Sequence, residues 1–146
     1  MKSLVIYDSV HGNTKTIAET VAKELGDGSR VVSVSDFNLE DLKEVKLLVV
    51  GSPIIAWQPT TKMNTFLAGF KKKQLDGFKA AAFDTRITLF IHGDAAGKIA
   101  VELARAGAVV VTEPMGFKVK GTEGPLLKGE VERAAAWARS LRVLAQ

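Results

Sequence analysis

The feature that most constrains this chain is that its strand-like runs are apolar without alternation. Leu4–Tyr7, Leu47–Val50, Lys79–Phe83 after its first residue, and Ala108–Val111 carry almost no polar side chain. A strand with one wet face must alternate apolar and polar residues, so these runs belong in a sheet covered on both sides. Between them the period changes to that of a helix. Thr14, Ile17, Ala18, Val21, Ala22 and Leu25 form one stripe that stops at Gly26. Met63, Phe66, Leu67 and Phe70 form another, and Ala95, Ala96, Ile99, Ala100 and Leu103 a third that stops at Gly107. Val131, Ala134, Ala135, Ala138 and Leu141 line the last helix. Val31, Val32 and Val34 read as the second strand, followed by a short helix capped by Asn38 and running through Leu39 and Leu42. Alternating strands and helices with right-handed crossovers predict an α/β fold. The expected architecture is a doubly wound five-stranded parallel sheet of order 2-1-3-4-5, with helices on both faces.

The chain has 146 residues, which predicts a single domain over 1–146. It has no cysteine and only two histidines, His11 and His92. Disulfides, thiolate metal sites and cysteine nucleophiles are therefore excluded, and no metal site is expected. The formal charge is +4, a mild basic excess that suits an anionic partner. Its densest run, Lys71-Lys72-Lys73, follows a helical stripe and suits a helix C-terminus. No aromatic residue interleaves with these lysines, so no nucleic-acid partner is expected. The apolar run from Leu4 to Tyr7 is too short for a leader, and no segment approaches a membrane span. These readings predict a cytoplasmic protein without membrane insertion.

A doubly wound sheet takes its ligand beyond the C-terminal ends of its strands, where strand order reverses. That selects the segments after strands one, three and four. The first reads Ser9-Val10-His11-Gly12-Asn13-Thr14 and leads straight into a helix. Two hydroxyls, an amide and a glycine there bring backbone N–H groups toward one point at the positive end of the helix dipole. This is a cradle for a phosphate. The alternative is that Asn13 or Thr14 only caps the helix. The second segment, Gly51-Ser52-Pro53-Ile54-Ile55-Ala56-Trp57-Gln58-Pro59, offers an aliphatic wall and an indole that is either ligand-facing or an anchor for the next helix. The third is Asp84-Thr85-Arg86-Ile87-Thr88-Leu89-Phe90-Ile91-His92-Gly93. A long connection, Gly116–Pro125, follows strand five; a lid, a docking loop and an extended edge ribbon are all open readings. Trp137 reads as packing.

Ser9-Val10-His11-Gly12-Asn13-Thr14 after an apolar strand resembles the FMN-phosphate loop of flavodoxins, Ser/Thr-x-Thr-Gly-Asn-Thr, with His11 in place of a threonine. The order of elements is similar along essentially the whole chain, in the short-chain form. The resemblance implies that Ser9, Val10, His11, Gly12, Asn13 and Thr14 hold the phosphate of FMN. It also implies that Pro53, Ile54, Ile55, Ala56 and Trp57 pass beside the flavin ring. Flavodoxins often place an aromatic residue and then a glycine where this chain has Ile55 and Ala56, so the ring wall here is aliphatic or is supplied by Trp57. Phe90 falls where the family commonly covers the other ring face, and it is equally a candidate for the core. The backbone of Asp84, Thr85 and Arg86 is expected at the pyrimidine edge. The Arg86 side chain either stabilises an anionic reduced ring or faces solvent.

The function implied is that of an FMN-binding electron-transfer flavoprotein, an oxidoreductase-type redox carrier with no catalytic side chain, served by a redox protein partner that is acidic if charge guides it. Two alternatives stand beside it: a small FMN-dependent NAD(P)H or quinone oxidoreductase, and a cofactor-free interaction module of the same fold. A receiver domain is disfavoured because Ser9 follows Asp8 and strand five ends in Thr112-Glu113-Pro114, leaving neither the acidic cluster nor the lysine that such a domain needs.

Overall fold

The structure is a computed structural model that describes residues 2–26, 28–88 and 92–146. Its strands are β1 (Ser3–Tyr7), β2 (Ser29–Ser33), β3 (Leu47–Pro53), β4 (Lys79–Ile87), β5 (Val109–Val110) and β6 (Met115–Val119). Its helices are α1 (Asn13–Leu25), α2 (Thr61–Ala68), α3 (Ala96–Arg105) and α4 (Glu130–Leu144), with a 3-10 turn at Leu39–Leu42. The strands run parallel in the order β2-β1-β3-β4-β5, and β6 also pairs with β4.

The unbroken apolar runs are explained by two cores, one on each face of the sheet. Val5, Leu47, Val49, Ala81 and Phe83 face α1 and α4. Leu4, Ile6, Leu48, Val50, Ala80 and Ala82 face α2 and α3. Neighbouring residues on one strand therefore enter different cores, and both must be apolar. Trp137 packs as expected: with Phe83 and Phe117 it forms a triad of edge-on rings whose centroids lie 5.8–6.0 Å apart. β2 is an edge strand, which is why its valines are only partly covered.

Three local expectations are corrected. The fifth strand is not Ala108–Val111. It is the pair Val109–Val110, and the edge resumes as β6 after Thr112-Glu113-Pro114, where proline has no N–H for the ladder. The first half of the Gly116–Pro125 connection is therefore mainly strand. Second, β4 runs to Ile87, so Asp84, Thr85 and Arg86 are strand residues rather than loop. β6 supplies the neighbour that keeps them paired, with Asp84 opposite Gly116 and Arg86 opposite Lys118. Third, α2 stops at Ala68 with Gly69 as its C-cap, so Lys71–Lys73 lie exposed in the following turn and cap nothing.

Gly51 sits on β3 beside Phe83, and a Cβ there would land within the Phe83 ring. That ring is wedged against Phe117 and Trp137 and has no free volume to enter. Gly51→Ala is expected to cost about 1–3 kcal/mol. Urea unfolding should show a lower midpoint with an unchanged m-value.

Candidate functional site

Beyond the C-terminal ends of β1, β3 and β4 lies a cleft of about 250 Å³. It sits where the order reverses, β1 being flanked by β2 on one side and β3 on the other. The first wall is the β1–α1 loop. Gly12 takes φ +92°, a left-handed conformation that glycine adopts freely, and it stands at the N-cap of α1 without a side-chain cap. Neither Asn13 nor Thr14 caps the helix. Instead Ser9 Oγ accepts from the N–H of Gly12 at 3.0 Å and that of Lys15 at 3.4 Å. Asp8 accepts from the Ser9 N–H and from the Thr60 hydroxyl. The N–H groups of Val10, His11, Asn13 and Thr14 make no hydrogen bond to any described residue. Four donors without a described partner, at the positive end of a helix, suit an anion. Thr14 Oγ1 is buried and shares a 2.8 Å hydrogen bond with Thr85 Oγ1, tying this loop to β4.

The second wall follows β3. Ile55 and Gln58 exchange both backbone hydrogen bonds, at 2.7 and 3.2 Å, around a two-residue turn. Ala56 at φ +50° and Trp57 at φ +74° make it a turn of type I′ without glycine. The turn is held from outside. Gly93 lies against the Trp57 backbone so closely that a Cβ would stand 2.5 Å from its Cα. Asp94 N–H and Lys98 Nζ both donate to the Trp57 carbonyl. The Trp57 side chain is 57% exposed, so it is not a helix anchor. With Val10 and Ile55, also exposed, it gives the cleft an apolar rim.

The floor belongs to β4. Asp84 is fully buried, and its carboxylate accepts from the N–H groups of Ala95 and Ala96 at 3.2 and 2.9 Å, the first turn of α3. It also accepts both Nε–H and Nη2–H of Arg86. Arg86 crosses the sheet over Gly116, where any Cβ would collide with the guanidinium. Its hydrogen bond to Asp84 pushes the Arg86 pKa up, against the opposing effect of burial. Arg86 thus faces the cleft as a paired ion, neither a free cation nor a solvated one. His92 also reaches the cleft, with Nδ1–H donating to the Gly93 carbonyl at 2.6 Å.

The cleft brings together Val10, His11, Asn13, Thr14, Pro53, Ile54, Ile55, Ala56, Trp57, Thr85 and Arg86 from the expected set. Ser9, Gly12 and Asp84 do not line it; the first two shape the loop and Asp84 fixes Arg86. Phe90 lies outside the described residues. Sequence reasoning missed Ile87, His92, Val119 and Thr122, which also line the cleft. The alternation of Lys118-Val119-Lys120 before a glycine-rich turn was the available signal for the last two.

These features define a doubly wound α/β protein with an anion-cradling loop beside an apolar-walled cleft. A family model described as a flavodoxin domain matches residues 4–90, and the chain belongs to that family. Membership implies a flavin cofactor. A search of curated proteins found no match. Among solved structures the chain is similar to a flavodoxin from the domain Archaea, at 24% identity and TM-score 0.80, covering 98% of this chain and 97% of that one. Oxidised flavodoxin 1 of Bacillus cereus gives 20% identity and TM-score 0.80, with 95% of each chain covered. The rubredoxin oxygen:oxidoreductase of Desulfovibrio gigas gives 17% identity and TM-score 0.78, covering 98% of this chain and 36% of that one. No helix among the described residues is long and apolar enough to cross a membrane.

Asp84→Asn keeps the shape but removes the charge that holds Arg86. It is expected to destabilise the fold by about 2–3 kcal/mol, because a half-buried guanidinium loses its nearest counter-ion and keeps only Asp94, at 3.6 Å. Chemical denaturation of the two proteins side by side checks this.

Proposed function

We propose that this protein is an FMN-binding electron carrier. The observation that supports the reading most is the set of N–H groups at Val10, His11, Asn13 and Thr14, without a partner among the described residues, in a loop that lines a cleft walled on one side by Pro53, Ile54, Ile55, Ala56 and Trp57. That donor set suits a phosphate dianion joined to a flat apolar ring system, which is the composition of FMN. The ring would lie along Ile54, Ile55 and Trp57, with Arg86 and the β4 backbone beside its polar edge. When bound, the flavin supplies the redox chemistry, while the protein binds, orients and limits access. His11 and His92 contribute polar edges to the cleft.

The partner we propose is a redox protein that docks on the rim formed by Val10, Ile55 and Trp57, an acidic one in view of the +4 charge. Lys2, Lys46 and Lys79 adjoin one another at the opposite ends of the strands, linked by Lys46 N–H to the Lys2 carbonyl and Lys79 N–H to the Lys46 carbonyl. Charge therefore guides the encounter only weakly at the cleft itself.

Two outcomes are expected. FMN added to apo-protein should lose its fluorescence stoichiometrically, riboflavin should bind far more weakly, and Thr14→Val should weaken FMN binding by about 0.5–1.5 kcal/mol by cutting the hydrogen bond to Thr85 that ties the loop to β4. Equal affinity for riboflavin would overturn the phosphate assignment. Stopped-flow electron exchange with an acidic redox protein should slow, shallowly, as salt is added. A rate that stays flat or rises counts against electrostatic docking.

A further inference from the structure

The Gly116–Pro125 connection has no part in the function proposed so far, yet beyond β6 it is an ordered hairpin. Lys120 N–H donates to the Pro125 carbonyl at 2.8 Å, Leu127 N–H to the Lys118 carbonyl at 2.9 Å, and Val119 pairs antiparallel with Leu126. Its base is locked: Lys118 N–H donates to the buried Glu130 carboxylate at 2.6 Å, and Val119 is buried while Leu126 packs on the α1–α4 core. Its tip turns on a 2.9 Å hydrogen bond from Gly124 N–H to the Gly121 carbonyl. The tip then crosses to the anion cradle, where Asn13 Nδ2 donates to the Glu123 carbonyl at 3.2 Å. Gly124, at φ +103°, fits against the Asn13 amide so tightly that a Cβ would stand 2.7 Å from it. Thr122 and Val119 face the cleft.

We propose that this hairpin is the specificity element of the site, closing its phosphate end so that a flavin monophosphate is retained and a flavin dinucleotide is turned away. The inference rests on the FMN reading above. A monophosphate ends in the cradle, whereas a dinucleotide must continue past it. The Asn13–Glu123 contact bridges the loop and the hairpin at that point and narrows the way out. The contact is one hydrogen bond between a side chain of the cradle and a main-chain carbonyl, backed by the close fit of Gly124 on the Asn13 amide. Thr122 offers a hydroxyl on the ligand side of the bridge. Locking the base while pinning the tip at one point gives a wall that holds a ligand of the right length and meets a longer one edge-on.

The test is to replace residues 121–125 by Asn-Gly-Thr, which closes a two-residue hairpin on Lys120 through the N–H that Pro125 lacks, but cannot reach Asn13. FMN, FAD and riboflavin are titrated against the full-length original and the shortened protein, and FMN release is timed. The shortened hairpin is expected to lower the preference for FMN over FAD by about five- to tenfold and to speed FMN release by a similar factor, the worth of one hydrogen bond, leaving riboflavin affinity unchanged. Unchanged preference and release would overturn the hairpin's role while leaving the FMN reading intact. Failure of the original protein to bind FMN would instead overturn that reading. Should the shortened chain fail to unfold cooperatively, hydrogen exchange on the original protein decides. FMN, and not riboflavin, must then slow exchange at the Lys120 and Gly124 amides; equal exchange with both overturns the proposal.

Discussion

The buried carboxylate of Asp84 is the point on which the cleft end of the molecule depends. An ionised side chain in a sheet interior is costly unless every lone pair finds a donor. Here the donors come from two directions, the first turn of α3 and the fork of Arg86. The same atom group therefore fixes where α3 begins, how far β4 continues, and how Arg86 lies. α3 has no capping side chain of its own at Ala95. Its N-terminal amides are shared: Asp84 on the strand beneath accepts those of Ala95 and Ala96, and Asp94 just before the helix accepts that of Gly97 at 2.9 Å.

From that anchor the rest of the site follows in steps. Because Asp84 and Arg86 point to the α3 side, Thr85 points to the α1 side and meets Thr14. β4 thus reaches both neighbours of the cleft through three consecutive residues. Gly116 on β6 leaves the space that Arg86 crosses, so an edge strand far along the chain is fitted to a residue of the central sheet. The polar site is built into the strand ends themselves, and the loops are hung from it.

Much of this was legible in the sequence. Five-fold alternation, unbroken apolar strands and the Ser9–Thr14 loop are local patterns, and local patterns predict topology and the cradle. What escaped notice depends on pairing between distant segments. Asp84 and Arg86 read as the end of a strand because polar residues break an apolar run; only their mutual pairing and the late-arriving β6 make them strand. Val119 and Thr122 sit more than a hundred residues from the cradle and reach it through a hairpin whose direction no periodicity records. Lys71–Lys73 look like a helix cap because Phe70 continues the stripe in sequence, whereas Gly69 ends the helix before it. Phe70 still packs, edge-on to Phe66 at 5.2 Å, so its burial is tertiary rather than helical.

The turn at Ala56–Trp57 departs from local rules in a way that bears on what the cleft can do. Two residues with a Cβ in the left-handed region each cost on the order of 1–2 kcal/mol, and such strain persists only where surroundings over-determine it. Here the Gly93 contact and the two donors on the Trp57 carbonyl do so. Reversing the peptide between Ala56 and Trp57 would convert the turn to type II′. Trp57 would be relieved, but Ala56 would then occupy a conformation that suits glycine alone. For this sequence the flip therefore moves the strain from Trp57 to Ala56 rather than removing it. A ligand whose charge changes inside the cleft draws no strain relief from that flip. The energy difference between its charge states must therefore be set by groups already in place: the amides of the cradle, the β4 backbone, and a guanidinium whose charge Asp84 has largely balanced.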